Sequence, residues 1–169
     1  MAEVEHRNKI YIDNNLEVIN KTAKFMTSGG FKFGLMYCGL CGNGKTTLLY
    51  ALRTATYYLY DKMKLPFTII NSKEINENYK DPQDWKNLKR LFIVAIDDLG
   101  EEPTEINEYG TIVSPIKEFL EYRYEQQLPT FLTTNLTPKE IREVYGARIA
   151  DRFNEMLEVI VFKNNSYRE

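Results

Sequence analysis

Gly39-Leu40-Cys41-Gly42-Asn43-Gly44-Lys45-Thr46 is the stretch on which the reading of this chain turns. It fits the pattern Gly-x-x-x-x-Gly-Lys-Ser/Thr at every fixed position, the pattern of a loop that cradles phosphates. Glycines let the backbone turn sharply and bring N–H groups against phosphate oxygens without interference from side chains. A helix opening near Lys45 aims its unpaired N–H groups and positive dipole end at the same anion. Lys45 then supplies a cation for the β- and γ-phosphates, and the Thr46 hydroxyl a ligand for Mg2+. At ordinary residue frequencies a chain this long matches by accident about one time in two hundred. The context lowers that figure further. An apolar run, Phe33 to Cys38, precedes the loop, and Leu48, Leu52, Ala55 and Leu59 follow on one helical face. The expected binding residues are Gly39, Leu40, Cys41, Gly42, Asn43, Gly44, Lys45, Thr46 and Thr47, and the expected ligand is ATP with Mg2+.

Outward from the loop, strands alternate with helices. Phe67 to Ile70 reads as a second strand after Pro66. Leu91 to Ile96 is apolar at every position, which suits a third strand buried on both faces. Thr130 to Thr134 and Glu158 to Phe162 read as the fourth and fifth. Alternation of this kind predicts an α/β fold, a three-layer P-loop NTPase with a five-stranded parallel sheet. The order 5-1-4-3-2 is assumed, since spacing does not prove it. Helical spacing covers residues 14–28, stopped by Gly29-Gly30. Residues 72–90 are polar, with a short helix expected at 75–79. From Ile112 to about Gln126 the spacing is helical, with Pro115 either kinking the helix or restarting it behind Ser114. Thr137-Pro138-Lys139-Glu140 carries a capping box, Gly146 ends that helix, and another spans about 148–156.

The third strand runs straight into Asp97-Asp98. At the carboxyl edge of a parallel sheet, where ligands collect, Asp97 would hold the metal, directly or through water, opposite Thr46, and Asp98 would orient or deprotonate the attacking water. Two acids can equally just open a surface loop. Asn135, at the tip of strand four, is either a turn former or a polar group near the γ-phosphate. Arg148 and Arg152 share a helix face, where they can form surface ion pairs with acids such as Asp151 or Glu155. Cys38 and Cys41 have a Cys-x-x-Cys spacing, but the single histidine, His6, is distant, and the simplest reading makes both small packing residues.

With 169 residues, 43% hydrophobic and 27% charged, one globular domain over 1–169 is expected, with an N-terminal segment and helix over 1–30 and the core over 31–169. The net charge of −2 argues against a protein that coats nucleic acid through bulk charge. No apolar run reaches membrane-spanning length and the N-terminus is polar, so a cytoplasmic location and no membrane partner are expected. Tyr57, Tyr58 and Tyr60, or Trp85 with Lys86, Lys89 and Arg90, are candidate contacts for nucleic acid; helix-end tyrosines also serve as packing.

Beyond the loop and the acids, Tyr122-Arg123-Tyr124, Leu128 to Leu136, Tyr145 to Phe153 and the terminal Ser166-Tyr167-Arg168 are laid out in a particular order. In these stretches the chain resembles the AAA+ ATPases of the DnaC/DnaI helicase-loader group, which includes the IstB-like transposition helpers. The resemblance implies a five-stranded parallel sheet, Asn135 as the sensor beside the γ-phosphate, and Arg152, with Arg148 second, as an arginine finger acting on a neighbouring subunit. It implies an ATPase acting in DNA replication on single-stranded DNA and a replicative helicase, working as a homo-oligomer. The alternatives are a transposition helper beside a transposase, and a nucleotide-gated binding module with little turnover. Three departures stand out. The family's second acid is often Glu where Asp98 stands, which would slow hydrolysis. No helical lid is expected after strand five. The residues before the first strand are few for the family's helicase-gripping region, which leaves two alternatives: a grip supplied by another polypeptide, or a sequence trimmed to its ATPase core.

Overall fold

In chain order the elements are α1 (Tyr11–Thr27), β1 (Gly34–Gly39), α2 (Lys45–Leu59), β2 (Phe67–Asn71), α3 (Ser72–Tyr79), α4 (Pro82–Arg90) and β3 (Ile93–Leu99). They continue with β4 (Ile106–Glu108), β5 (Thr111–Val113), α5 (Pro115–Glu125), β6 (Thr130–Thr134), α6 (Pro138–Tyr145), α7 (Ala147–Met156) and β7 (Leu157–Phe162). This computed structural model describes residues 11–59 and 67–167. His6, Tyr60, Pro66 and Arg168 lie outside the described residues.

Five strands form one parallel sheet in the order β2-β3-β6-β1-β7. These labels differ from the expected 5-1-4-3-2 because two short strands, β4 and β5, were not foreseen and advance the numbering. The loop-bearing β1 lies between β6 and β7, and β3 lies between β2 and β6. Because the strands are parallel, the loops after β1, β3 and β6 all open at one edge of the sheet.

Alternate strand residues feed two cores, one on each face. Met36, Val94, Ile96 and Leu132 pack with side chains of α3 to α7, whereas Leu35, Tyr37, Ala95 and Phe131 pack with α1 and α2. The sheet is therefore covered on both sides, and its strands are apolar through most of their length for that reason. The exception is β6, all five residues of which are buried although three are threonines. Their β-branched side chains suit a strand, and every hydroxyl has an acceptor: Leu128 O, Asp97 Oδ1 and Leu99 O.

Two local readings change. The polar stretch 72–90 holds two helices, α3 and α4. Asn71 starts the first with a capping box, and Asp81 starts the second, its carboxylate accepting from Gln83 N and Asp84 N ahead of Pro82. Each helix buries only a few residues, Ile75 in α3 and Trp85 and Leu88 in α4, so the apolar periodicity is faint. Ile112 and Val113 do not begin a helix. They pair with Ile106 and Asn107 in a hairpin whose turn, Tyr109-Gly110, has φ values of 49° and 85°. That positive-φ pair has the twist a tight hairpin needs. α5 starts at Pro115, and the Ser114 hydroxyl donates to Thr104 O rather than capping the helix. The capping box of Thr137 and Glu140 is present on α6, and Gly146 follows that helix at φ 92°.

Candidate functional site

β1 delivers the chain to Gly39, where a side chain could not fit. A Cβ there would stand 2.5 Å from Asn43 Nδ2 and 2.7 Å from Phe162 O. The turn continues through Gly42 and Gly44 at φ 77° and 96°, and α2 begins at Lys45. Lys45 is buried, and its ammonium donates to Gly39 O at 2.8 Å, Leu40 O at 2.8 Å, Asn43 Oδ1 at 3.2 Å and Asn135 Oδ1 at 2.8 Å. All four acceptors are neutral oxygens. Burial holds the Lys45 pKa below the usual lysine range. Asn43 is fully buried, and its Nδ2 has no hydrogen-bond partner. A buried cation beside an unspent amide donor, at the start of a helix, is a cradle that fits a phosphate group. Thr46 and Thr47 follow, half-buried, on the first turn of α2. Leu40 and Cys41 are exposed, Cys38 is buried, neither cysteine forms a disulfide, and burial pushes the Cys38 thiol up to about 11.

The acids come next along the same sheet edge. The β3–β6 register shifts between Ile96 and Leu99, and this irregularity re-aims the intervening Asp97 and Asp98. Asp97 is buried and accepts hydrogen bonds from Thr46 Oγ1 at 2.9 Å and Thr133 Oγ1 at 2.6 Å. The 2.9 Å between the Thr46 and Asp97 oxygens is about the spacing of adjacent oxygens on an octahedral Mg2+, given metal–oxygen bonds of about 2.0–2.1 Å. The residues present therefore fit that ion, which would be held by this hydroxyl and carboxylate together with phosphate oxygens. Among the described residues no group of three or more His, Cys, Asp or Glu is arranged to hold a metal.

Asp98 sits at φ 57°, a left-handed conformation that Asp tolerates better than most residues. Its N–H donates to Thr133 Oγ1 at 2.9 Å, and its carbonyl accepts from Ser72 Oγ at 2.8 Å. Thr133 thus orients both acids, donating to one and accepting from the backbone of the other. Reading the sequence missed that role, although Thr133 lies in the polar tip of strand four. Past Asp98, Glu102 is buried, accepting from Gly100 N at 2.9 Å and from the Tyr145 hydroxyl. Burial, reinforced by Glu102, raises the Tyr145 pKa.

Asn135 completes the cluster. It is exposed at the end of β6 and accepts from Lys45, so the loop after β1 and the tip after β6 are joined directly. No protein-family model matches the chain, and no curated protein matches it in sequence. Solved structures do match. A crystal structure of the DnaC helicase loader superposes with a TM-score of 0.65 at 22% identity, covering 94% of this chain and 93% of that one. A crystal structure of DnaI gives 0.68 at 23%, covering 88% and 85%. The replication initiator DnaA bound to AMPPCP and single-stranded DNA gives 0.57 at 19%, covering 87% of this chain and 46% of that one. The fold is that of the DnaC and DnaI helicase loaders.

On this helicase-loader fold the remaining candidates fall away from the cluster. Arg152 lies on α7 with its side chain 13% exposed, 3.3 Å from Glu121 and 3.2 Å from Glu125, and its guanidinium lies 4.8 Å from the Tyr124 ring centre. Arg148, whose side chain is 68% exposed, approaches the same two carboxylates at 3.2 and 4.0 Å. Trp85 is buried against Tyr79 and Phe119, its indole N–H donating to Glu118, so its ring is not a free stacking surface. Tyr57 and Tyr58 are exposed on α2 rather than packed. Among the described residues no helix is long and apolar enough to cross a membrane.

Proposed function

We propose that this chain binds ATP with Mg2+ through residues 39–47, with Asp97 and Thr46 as metal ligands, and hydrolyses it as a helicase-loader-type ATPase in DNA replication. The supporting observation is Lys45: a buried ammonium surrounded by neutral oxygens, at a helix start, beside a carboxylate and hydroxyl spaced for Mg2+. Burying a charge is costly, Asp98 and Asp97 offset only part of that cost for Lys45, and an incoming phosphate adds a direct anionic partner. When bound, the metal neutralises charge on the β- and γ-phosphates. Within the chain, Thr133 holds Asp97 and the Asp98 backbone, and Asp98 would orient the attacking water and accept its proton. Asn135 exchanges its bond to Lys45 for one nearer the terminal phosphate. That DnaA, of the same fold, has been solved with AMPPCP and single-stranded DNA supports the nucleotide and extends the reading to a DNA partner.

Titration with a fluorescent ATP analogue tests the binding. Lys45→Ala removes a charge-assisted contact of about 1.5–3 kcal/mol, so affinity falls roughly ten- to hundredfold. Unchanged affinity overturns the reading. For hydrolysis, Asp98→Asn keeps a residue tolerant of positive φ, leaves ATP binding near the wild type and lowers turnover about a hundredfold.

A second reading, a nucleotide-gated module with little turnover, draws on the shorter acid at Asp98. It is established instead if the wild type binds ATP but shows no turnover with its DNA and partner added. For the arginine finger, Arg152 must exchange Glu121 and Glu125 for a neighbouring subunit's phosphate. Mixing Lys45→Ala with Arg152→Ala subunits then restores part of the activity that each lacks alone, because a finger contributes about 10³–10⁵ in rate. A mixture that co-assembles without recovery removes Arg152 from that role.

A further inference from the structure

The chain beyond β7 returns to the phosphate loop. Phe162, the last residue of that strand, presses its backbone oxygen and Cβ against Gly39. The Asn164 side chain then donates from Nδ2 to Asn43 O at 2.9 Å, and the Tyr167 N–H donates to Gly42 O at 2.8 Å. The Tyr167 ring packs beside the core under α1 and α2, and its hydroxyl accepts from Asn15 Nδ2 of α1 at 2.7 Å. Residues 163–167 therefore lie across the loop, fastened on the far side by a fully buried asparagine.

We infer that Asn164 and Tyr167 are positioning residues for the nucleotide, holding the phosphate loop in its receptive form. A trans peptide is planar, and its carbonyl and N–H point in opposite directions. With Gly42 O and Asn43 O turned to the tail, the N–H groups of Asn43 and Gly44 face away from it. Gly39 O and Leu40 O, by contrast, turn to the Lys45 ammonium on the inside of the loop. The two halves of the loop thus present opposite groups: inward carbonyls before Cys41 and outward carbonyls after it. Only the second half offers amide donors to an anion, and the tail holds that half. A glycine-rich loop has many accessible backbone states, so two bonds from outside it cut the ordering cost that binding would otherwise meet.

This inference rests on the reading of residues 39–47 as a nucleotide site, and the test separates the two. Binding of ATP, ADP and AMP to the full chain is measured by calorimetry for the wild type and for Asn164→Ala, Tyr167→Pro and Tyr167→Phe. Asn164→Ala weakens ATP and ADP about three- to tenfold and AMP less, as one hydrogen bond acting on the phosphate cradle predicts. Tyr167→Pro removes the backbone donor and does the same. Tyr167→Phe keeps that donor and the ring but gives up the bond to Asn15, and weakens ATP and ADP less than Tyr167→Pro does. The thermal midpoint without nucleotide stays within about 2 °C for Asn164→Ala. The inference is overturned if Asn164→Ala and Tyr167→Pro bind ATP like the wild type. Equal weakening of all three nucleotides together with a lowered midpoint also overturns it, because the tail then only holds the fold. A wild type that binds no nucleotide overturns the site itself, and the inference with it.

Discussion

Two buried cations stand at opposite edges of the sheet, and both are held by neutral oxygens. Lys45 is at the carboxyl edge, bonded to two loop carbonyls and two asparagine side chains. Arg123, on α5, is at the amino edge and fully buried. Its guanidinium donates to Thr130 Oγ1 at 2.7 Å, Leu91 O at 2.9 Å, Phe92 O at 3.0 Å and Pro129 O at 2.7 Å. Burial lowers the Arg123 pKa to about 10. The same device serves two ends. Arg123 staples the chain entering β3 to the chain entering β6, and its planar fork matches fixed carbonyls that have few other donors. Lys45 is a point charge on a flexible stem, its partners belong to a glycine loop and an exposed tip, and its bonds can be exchanged for a ligand's. Closed coordination makes a brace; exchangeable coordination suits the proposed site.

The contrast is broken or sharpened by substitution. Arg123→Met should have the largest effect, taking from the Leu91 and Phe92 carbonyls the donors that the fork supplies and costing about 3 kcal/mol or more, measured by urea unfolding. Arg123→Lys should recover only part of this, remaining about 2 kcal/mol below the wild type, because an ammonium cannot reproduce the fork. If Arg123→Lys is fully stable, the brace is simply a buried charge. Lys45→Met should change the stability of the nucleotide-free protein by less than about 1 kcal/mol, since it also removes the cost of burying the charge. A loss as large as that of Arg123→Met would erase the distinction between brace and site. A small effect is also expected at Asp98, where φ is 57°. Asp98→Ala should be about 1 kcal/mol less stable than Asp98→Asn, because Asn tolerates that conformation and Ala does not.

Much of this was legible in the sequence. The glycine and lysine pattern located the tight loop between β1 and α2, an unbroken apolar run marked β3, and Thr137 with Glu140 marked the start of α6. Each of these signals is local: a backbone conformation, a burial pattern or a cap is written in neighbouring residues. Less legible were α3 and α4, whose caps at Asn71 and Asp81-Pro82 were present but whose apolar faces are narrow. The hairpin was misread because Ile112 and Val113 match helical spacing by chance, and the Tyr109-Gly110 turn that overrules them lacks the usual asparagine or aspartate.

By itself the sequence determined a glycine loop between a strand and a helix, acids at a strand end and an α/β parallel sheet, because glycine freedom, charge and periodicity act over a few residues. Only the tertiary structure decided which distant groups complete them. Thr133 reaches Asp97 across 36 positions, Asn135 reaches Lys45 across 90, and Asn164 reaches the loop across 121. Those meetings depend on strand order and on where the tail is fastened, and a side chain's hydrogen-bond partner is set by geometry that no local pattern encodes. The same holds for Arg123: its stretch Tyr122-Arg123-Tyr124 stood out in the sequence, but only folding surrounds its guanidinium with carbonyls.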